Sequence, residues 1–262
     1  MRAWRERRRL SQMELALEAD VSARHVSFIE TGRARPSPEM ILRLATQLDV
    51  PLRQRNRLLL AAGYAPAFEQ YEFDAPEMEP VRRTIQSILD GHDPYPALVV
   101  DGTWELLASN RGMGLLIEGV SPELLEPPTN VYRLALHPDG IAPRIVNLGE
   151  CRDHLLKRLE RQFVLSGDPS LKSLLDEVTA YPGPALDGAH DPGTHAEDGS
   201  ELAVPVRLRH NEGEELTFIS TLATFGAAVE VTASELSIES FFPLDERTAE
   251  VVREYVAHLP PT

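Results

Sequence analysis

The chain has 262 residues, of which 42% are hydrophobic and 26% charged, with a formal net charge of −15 at pH 7. That is the balance of a folded globular protein with room for two domains; no apolar run reaches the roughly 20 residues a membrane-spanning helix needs, and the basic start MRAWRERRRL lacks the apolar segment of a secretory signal. A lone cysteine, Cys151, excludes an internal disulfide and fits a reducing cytosol.

The charge is partitioned. Residues 1–64 carry 12 Arg and 7 Asp+Glu, a balance of +5, and residues 65–262 carry 14 Lys+Arg and 34 Asp+Glu, a balance of −20. A small basic part able to meet phosphates thus precedes a large acidic part that repels them. Every cation of the basic part is Arg, which suits two-pronged contacts with phosphate and guanine. Solvated helix faces account for Arg2 to Arg9, and less well for the partition.

Residues 2–10 read as a helix with Trp4 and Leu10 turned to a core. Ser11 to Arg35 reads as two helices about a tight turn. Ser11 and Glu14 have the spacing of a capping box, the break falls at Ala19-Asp20-Val21, Ser22 caps the second helix, and Gly32 stops it. Val26 and Ile29 share that helix's apolar face. Such a pair is a helix-turn-helix, whose second helix can enter the DNA major groove. Ser37-Pro38-Glu39 starts a fourth helix, with Ile41, Leu44, Ala45 and Leu48 at helical spacing. A fifth follows Pro51, with Leu52, Leu58, Leu59, Leu60 and Ala62 before Gly63. Residues 1–64 are expected to form an all-α five-helix helix-turn-helix domain.

Residues 65–80 read as a partly packed linker. A helix from about Val81 to Asp90 follows, and then the period changes: Ala97 to Asp101 is a buried strand and Trp104 to Ala108 its hairpin partner across Gly102. Short helices are expected from Asn110 to Ile117, from Ser121-Pro122-Glu123, and from Asn130 to Leu136, with a turn at His137-Pro138-Asp139-Gly140. Leu148 to Leu165 is a long amphipathic helix with Leu155, Leu156, Leu159 and Phe163 on its apolar side. Asp168-Pro169 starts another, through about Ala180, and residues 181–200 read as a mobile loop. Leu202 to Arg209 and Leu216 to Phe225 are strands about a turn at Asn211 to Glu214. Ala228 to Val231 reads as a third, Leu236 to Phe242 is ambiguous between strand and helix, and Asp245 to Ala257 is a closing helix. Residues 81–262 are therefore expected to be an α+β domain around an antiparallel sheet.

SQMELA, VSARHVSFIETGRARPS and LATQLDV, within residues 2–64, resemble the Xre-type helix-turn-helix regulators, a family that includes phage repressors. The resemblance implies double-stranded DNA as a partner, with Ala23, Arg24 and Phe28 facing base edges. Gln12, Ser22, Ser27, Arg33 and Arg35 then contact phosphates or hold register. Arg24 can pair with a guanine. Phe28 offers only apolar contact, for example with a thymine methyl, and reads equally as a core residue. Glu30 is expected to be a structural partner within the domain, since a carboxylate beside phosphates is unfavourable.

From about Arg82 to Val256, PYPALVVDGTWELLASNRG, NVYRLALHPDGIAPRIVNLGE and TFISTLATFGAAVEVTASELSIESFFPLDERT resemble the ligand-binding domain of MmyB-like transcription regulators. This resemblance implies a PAS-like fold with an interior cavity, and a long-chain fatty acid as the type of ligand. Read by themselves, the polar candidates for ligand contact are Tyr95, Asn110, Arg133 and His137. Arg133 stands between Tyr132 and Leu134 and could recognise a carboxylate. Structural readings stand beside these: a salt bridge for Arg133, a helix cap for Asn110, a turn for His137.

Neither a metal nor a cofactor is expected. His190, Asp191, His195, Glu197 and Asp198 gather metal-capable groups, but in a Gly/Pro-rich loop with no element to fix them. Cys151, beside Arg152 and near His154, has no triad spacing, and no phosphate-cradling glycine loop is present. The chain reads as a cytoplasmic, nucleoid-associated transcription regulator rather than an enzyme or a membrane protein. Residues 1–64 bind operator DNA and the rest binds a small apolar, anionic molecule. The alternative reading makes the acidic domain a protein-interaction or dimerisation module without a ligand. One recognition helix buries too little for specific affinity, so a homodimer reading half-sites about 34 Å apart is expected.

Overall fold

The computed structural model describes residues 1–183, 204–210, 213–225 and 230–260. Five helices open the chain: α1 (Arg2–Arg7), α2 (Gln12–Glu18), α3 (Ala23–Glu30), α4 (Pro38–Gln47) and α5 (Leu52–Ala61). Ser11 completes the capping box of α2, its hydroxyl accepting from Glu14 N (3.1 Å) while the Glu14 carboxylate accepts from Ser11 N (2.7 Å). Ser22 and Ser37 cap α3 and α4 by accepting from His25 N and Met40 N. The turn between α2 and α3 passes through Asp20 at φ 51°, a left-handed conformation that aspartate tolerates better than most residues. Trp4, Leu15, Val26, Leu44 and Leu48 pack together as this domain's core.

The chain after Gly63 is folded back on α5. Buried Asn56 accepts from Ala67 N and Phe68 N (3.0 Å each) and donates to Phe68 O (2.7 Å). A 3₁₀ turn at Pro76–Met78 then drops Met78 into the second domain.

That domain runs α6 (Glu79–His92), β1 (Ala97–Val100), β2 (Leu106–Ser109), α7 (Met113–Leu116), α8 (Pro122–Leu125), α9 (Val131–Leu136), α10 (Leu148–Ser166), α11 (Pro169–Thr179), β3 (Val206–Arg209), β4 (Glu215–Thr224), α12 (Val231–Glu235), β5 (Ser237–Pro243) and α13 (Glu246–His258). The strands form one curled antiparallel sheet in the order β2-β1-β5-β4-β3, so the strand latest in sequence lies at its centre. This is the α+β, PAS-like domain expected. Alternation along the strands directs Ala97, Val99 and Ile238 to one face, against Ile85 and Leu89 of α6. Leu98, Val100, Leu208, Leu216 and Phe218 face the other way, into a core shared with α7, α9, α10, α11 and α13.

Several boundaries differ from expectation, each for a local reason. The hairpin's second strand starts at Leu106 because Trp104 sits in the turn at φ 68°, which Asp101 closes by accepting from Thr103 N and Glu105 N (2.8 Å each). Asn110 does not begin a helix; its side chain accepts from Ala97 N (3.0 Å) and donates to Tyr95 O (2.7 Å), pinning the start of β1. Val231 opens α12 behind a Glu230 cap instead of ending a strand. Leu236–Phe242 is strand, and its central place in the sheet buries side chains on both faces, which hides the alternation. The residues of 184–203, 211–212 and 226–229, including His190, Asp191, His195, Glu197 and Asp198, lie outside the described residues. No described helix is long and apolar enough to cross a membrane.

Candidate nucleic-acid interface and ligand cavity

Helix α3 is anchored by buried Val26 and by its last residue. Glu30, its side chain 2% exposed, accepts a two-pronged pair from Arg5 (Nε–Oε1 2.8 Å, Nη2–Oε2 2.9 Å) and a third bond from Gln12 Nε2 (2.8 Å). Arg5 also donates to Leu10 O (2.8 Å). Burial alone would raise the Glu30 pKa, but the bonds from Arg5 and Gln12 more than offset it and hold the carboxyl below its ordinary value. Glu30 is therefore a structural partner that ties α1 to both helices of the helix-turn-helix.

The opposite end of α3 is open. Ser22, Ala23 and Arg24 are exposed at its first turn, with the Ser22 hydroxyl engaged as the cap. The Arg24 guanidinium lies 5.1 Å from the Phe28 ring centroid. Phe28 is half-buried and outside the domain's core cluster. Ser27 is half-buried, its carbonyl accepting from the Thr31 hydroxyl (2.7 Å). Arg33 is exposed just past the helix, where its backbone N–H donates to Phe28 O (2.8 Å). Arg35 is exposed but engaged, donating to Ala62 O (2.8 Å) with its guanidinium 5.0 Å from the Tyr64 ring. The structure thus groups Ser22, Ala23, Arg24 and Phe28 at one end of α3 and commits Gln12 and Arg35 to contacts within the domain.

In the second domain a cavity of about 300 Å³ lies between the sheet and helices α7, α9 and α10. Strand register builds its floor: Leu98, Glu239 and Leu222 form one row across β1, β5 and β4, and Phe241 stands opposite Ser220. Met113, Leu116, Ile117, Val131, Leu134 and Leu155 supply apolar wall.

The polar lining groups are linked to one another. Arg158 Nε donates to the Tyr132 hydroxyl (3.0 Å), and its Nη1 lies 3.5 Å from Glu239 Oε1, which accepts from Ser220 Oγ (2.9 Å). The Arg158 guanidinium sits 4.4 Å from the Trp104 ring centroid. Burial works against the charge on Arg158, but the Glu239 carboxylate and Tyr132 hydroxyl more than offset it, so the group stays cationic. His154 is pushed below its ordinary value first by burial, then by the charges of Arg158 and Arg161, which leaves the imidazole neutral at pH 7. Exposed Arg161 marks the edge where the cavity meets solvent. Two guanidiniums against one carboxylate set a positive field over an apolar hole. Cys151 also lines it, but burial and then Glu150 push its thiol up to about 11, so it is unreactive at neutral pH.

Tyr95, Asn110, Arg133 and His137 stand elsewhere. Arg133 pairs two-pronged with Glu177 (2.7 and 2.8 Å), which also accepts from Tyr181 (2.5 Å). His137 packs edge-on to Tyr181 and accepts from Asp139 N (3.0 Å) in its turn. The Tyr95 hydroxyl accepts from Arg253 (3.2 Å), and Asn110 holds β1 as described. The polar lining comes instead from α10, where Cys151, His154, Arg158 and Arg161 fall at alternating steps of three and four. That spacing is a single helical stripe, and it is the signal a sequence reading can use. Among the described residues, no group of three or more His, Cys, Asp or Glu is placed to hold a metal ion.

Residues 81–254 match the MmyB-like transcription regulator ligand binding domain, and residues 1–54 match a helix-turn-helix family. No curated protein matches the chain. Among solved structures, a substituted form of RsLOV aligns over 68% of this chain and 86% of its own, at 12% identity and TM-score 0.30. An RNA-binding light-oxygen-voltage receptor aligns over 97% of this chain and 59% of its own, at 15% identity and TM-score 0.27. At such TM-scores neither bears on the site.

Proposed function

Because the chain belongs to the family of MmyB-like transcription regulators, we propose that it binds operator DNA as a homodimer and responds to a fatty-acid-like molecule held in its second domain. The two matched domains make it a ligand-responsive, DNA-binding transcription regulator; the proposal concerns what is bound and by which residues. The observation that carries it is the buried Arg158, cationic and half-satisfied at the edge of an apolar cavity. A carboxylate head there gains charge-assisted hydrogen bonds while its chain removes apolar surface from water. Mass spectrometry of the protein, first intact and then denatured, tests this: a released lipid supports it. A lipid-free protein whose melting temperature ignores added fatty acids overturns it in favour of a protein-interaction module.

In this reading Ala23, Arg24 and Phe28 face the bases. Ser22, Ser27 and Arg33 meet phosphates, and Gln12 and Arg35 hold register through their bonds within the domain. Arg24→Ala is expected to relax sequence preference at one base position, at a cost of about 1–3 kcal/mol for the preferred site. Arg33→Ala is expected to weaken all sequences alike and reduce the salt slope by about 1. Binding titrations at several salt concentrations separate the two; an unchanged slope in Arg33→Ala removes its phosphate contact. Light scattering with and without DNA tests the dimer.

A further inference from the structure

We propose that occupation of the cavity is transmitted to the helix-turn-helix along a contact path from Arg158 through Trp104, Gln162 and Gly102 to the Glu235–Arg53 pair that joins the two domains. It rests on reading the cavity as a ligand site and adds how that site controls DNA binding.

Every step of the path is a close contact. The Arg158 guanidinium lies 4.4 Å from the centre of the Trp104 ring. Trp104 Nε1 donates to Gln162 Oε1 (2.5 Å), and Gln162 Nε2 donates to Gly102 O (3.0 Å). Gly102 in turn backs onto Glu235, so closely that a Cβ at 102 would stand 3.3 Å from Glu235 Cβ and 3.5 Å from Cγ and Cδ. Glu235, the last residue of α12, accepts from Arg53 of α5 at 2.8, 3.1 and 2.6 Å. The path therefore leaves the cavity and enters the DNA-binding domain through side chains alone.

Two features make it a switch rather than mere packing. Trp104 holds φ 68°, a region bulky residues avoid and one that gathers at ligand clamps and switch segments. Its ring is held by the same guanidinium that faces the cavity, so an anionic head drawing Arg158 toward itself removes the cation from that ring. The second feature is α12, which holds the DNA-binding domain at more than one point. Besides Glu235, its Val231 N donates to Glu69 O (2.8 Å), and its Thr232 hydroxyl donates to Tyr71 O (2.6 Å) while accepting from Tyr71 N (3.1 Å). From α12 the chain passes directly into β5, whose Glu239 is the carboxylate beside Arg158. Helix α10 makes a parallel connection: it carries Arg158, and its C-terminal Gly167 lies under the Arg7 guanidinium of α1.

Contiguity is not coupling, and coupling is what must be measured. The full chain is used, with dodecanoate as probe and the tightest-binding duplex that the wild type selects from a random pool. Dodecanoate affinity, and DNA affinity with and without dodecanoate, are measured for the wild type and for Arg53→Gln, Glu235→Gln and Trp104→Phe. The wild-type shift in DNA affinity is expected to fall within about 5–150-fold. In each variant it is expected to collapse to about twofold or less, with dodecanoate still bound about as tightly as by the wild type. Trp104→Phe keeps the ring and removes only the N–H to Gln162, so it reports on the path rather than on folding. A full shift retained in all three variants overturns the proposal, as does a wild type that binds dodecanoate with no shift. A wild type that binds no dodecanoate overturns the cavity reading itself, a distinct result.

Discussion

Arg5→Met is expected to cost the helix-turn-helix domain about 3–5 kcal/mol, the loss typical when one partner of a buried ion pair is removed. The Arg5 side chain is 11% exposed and Glu30 2%, so water cannot replace the missing guanidinium. Only Gln12 would remain to donate to the carboxylate, and the Leu10 carbonyl would lose its donor as well. The sign of the pH dependence is a second reading. In the wild type the Glu30 pKa is lowered on folding, so its stabilisation is present above the unfolded carboxyl value and is lost as pH falls through the folded value. In Arg5→Met burial dominates, the carboxyl is pushed up instead, and stability should rise as the pH falls toward the carboxyl range. Denaturant melts at pH 7 and pH 5 check both. The double variant Arg5→Met/Glu30→Gln should recover most of the loss, since no charge is then left buried. A single variant as stable as the wild type would show that the pair contributes nothing.

Local signals made the first domain legible. Ser11, Ser22, Ser37 and Pro38 announce helix starts by chemistry that acts within three residues, and each does so in the structure. The second domain was legible where burial is one-sided and obscure where it is not. β5 is flanked by β1 and β4, and with both its faces covered no alternation survives to mark it as strand. Trp104 shifted the hairpin because nothing in its side chain signals a left-handed backbone. Asn110 had the look of a helix cap, yet its amide is taken by backbone groups of Ala97 and Tyr95. The ligand candidates were harder still. Arg133 stood out by its apolar neighbours in sequence, but helix α9 turns those neighbours inward and Arg133 out toward Glu177. Arg158 was hidden by the opposite circumstance. It lies in a run of charged residues that reads as solvated, and its burial depends on Trp104 and Glu239, distant in sequence. Which face of α10 meets a cavity is a tertiary fact, although the 151–154–158–161 stripe shows that one face is built differently.

Dodecanoate should bind the wild-type protein about 10- to 100-fold more tightly than dodecanol, and Arg158→Met/Glu239→Gln should abolish that preference. The figure follows from a hydrogen bond to a charged group, about 1.5–3 kcal/mol net, made by the acid and not by the alcohol. Removing Arg158 alone would leave Glu239 as a buried charge beside the head group, confounding ligand repulsion with misfolding. The paired change removes both charges, keeps a polar partner for Ser220 and fills the site with a side chain of similar length. Chain length supplies the independent axis. Each methylene added to the acid should tighten binding by about fourfold, from about 0.8 kcal/mol per buried CH₂, until the cavity of about 300 Å³ is full. In the double variant that slope should persist while the acid falls to the level of the alcohol, because the walls, Leu98, Met113 and Leu155 among them, are untouched. Parallel slopes with a lost offset identify Arg158 as the head-group contact. Acid and alcohol bound equally by the wild type would remove that role, and a slope that vanished in the double variant would mean the cavity had collapsed rather than lost its anchor.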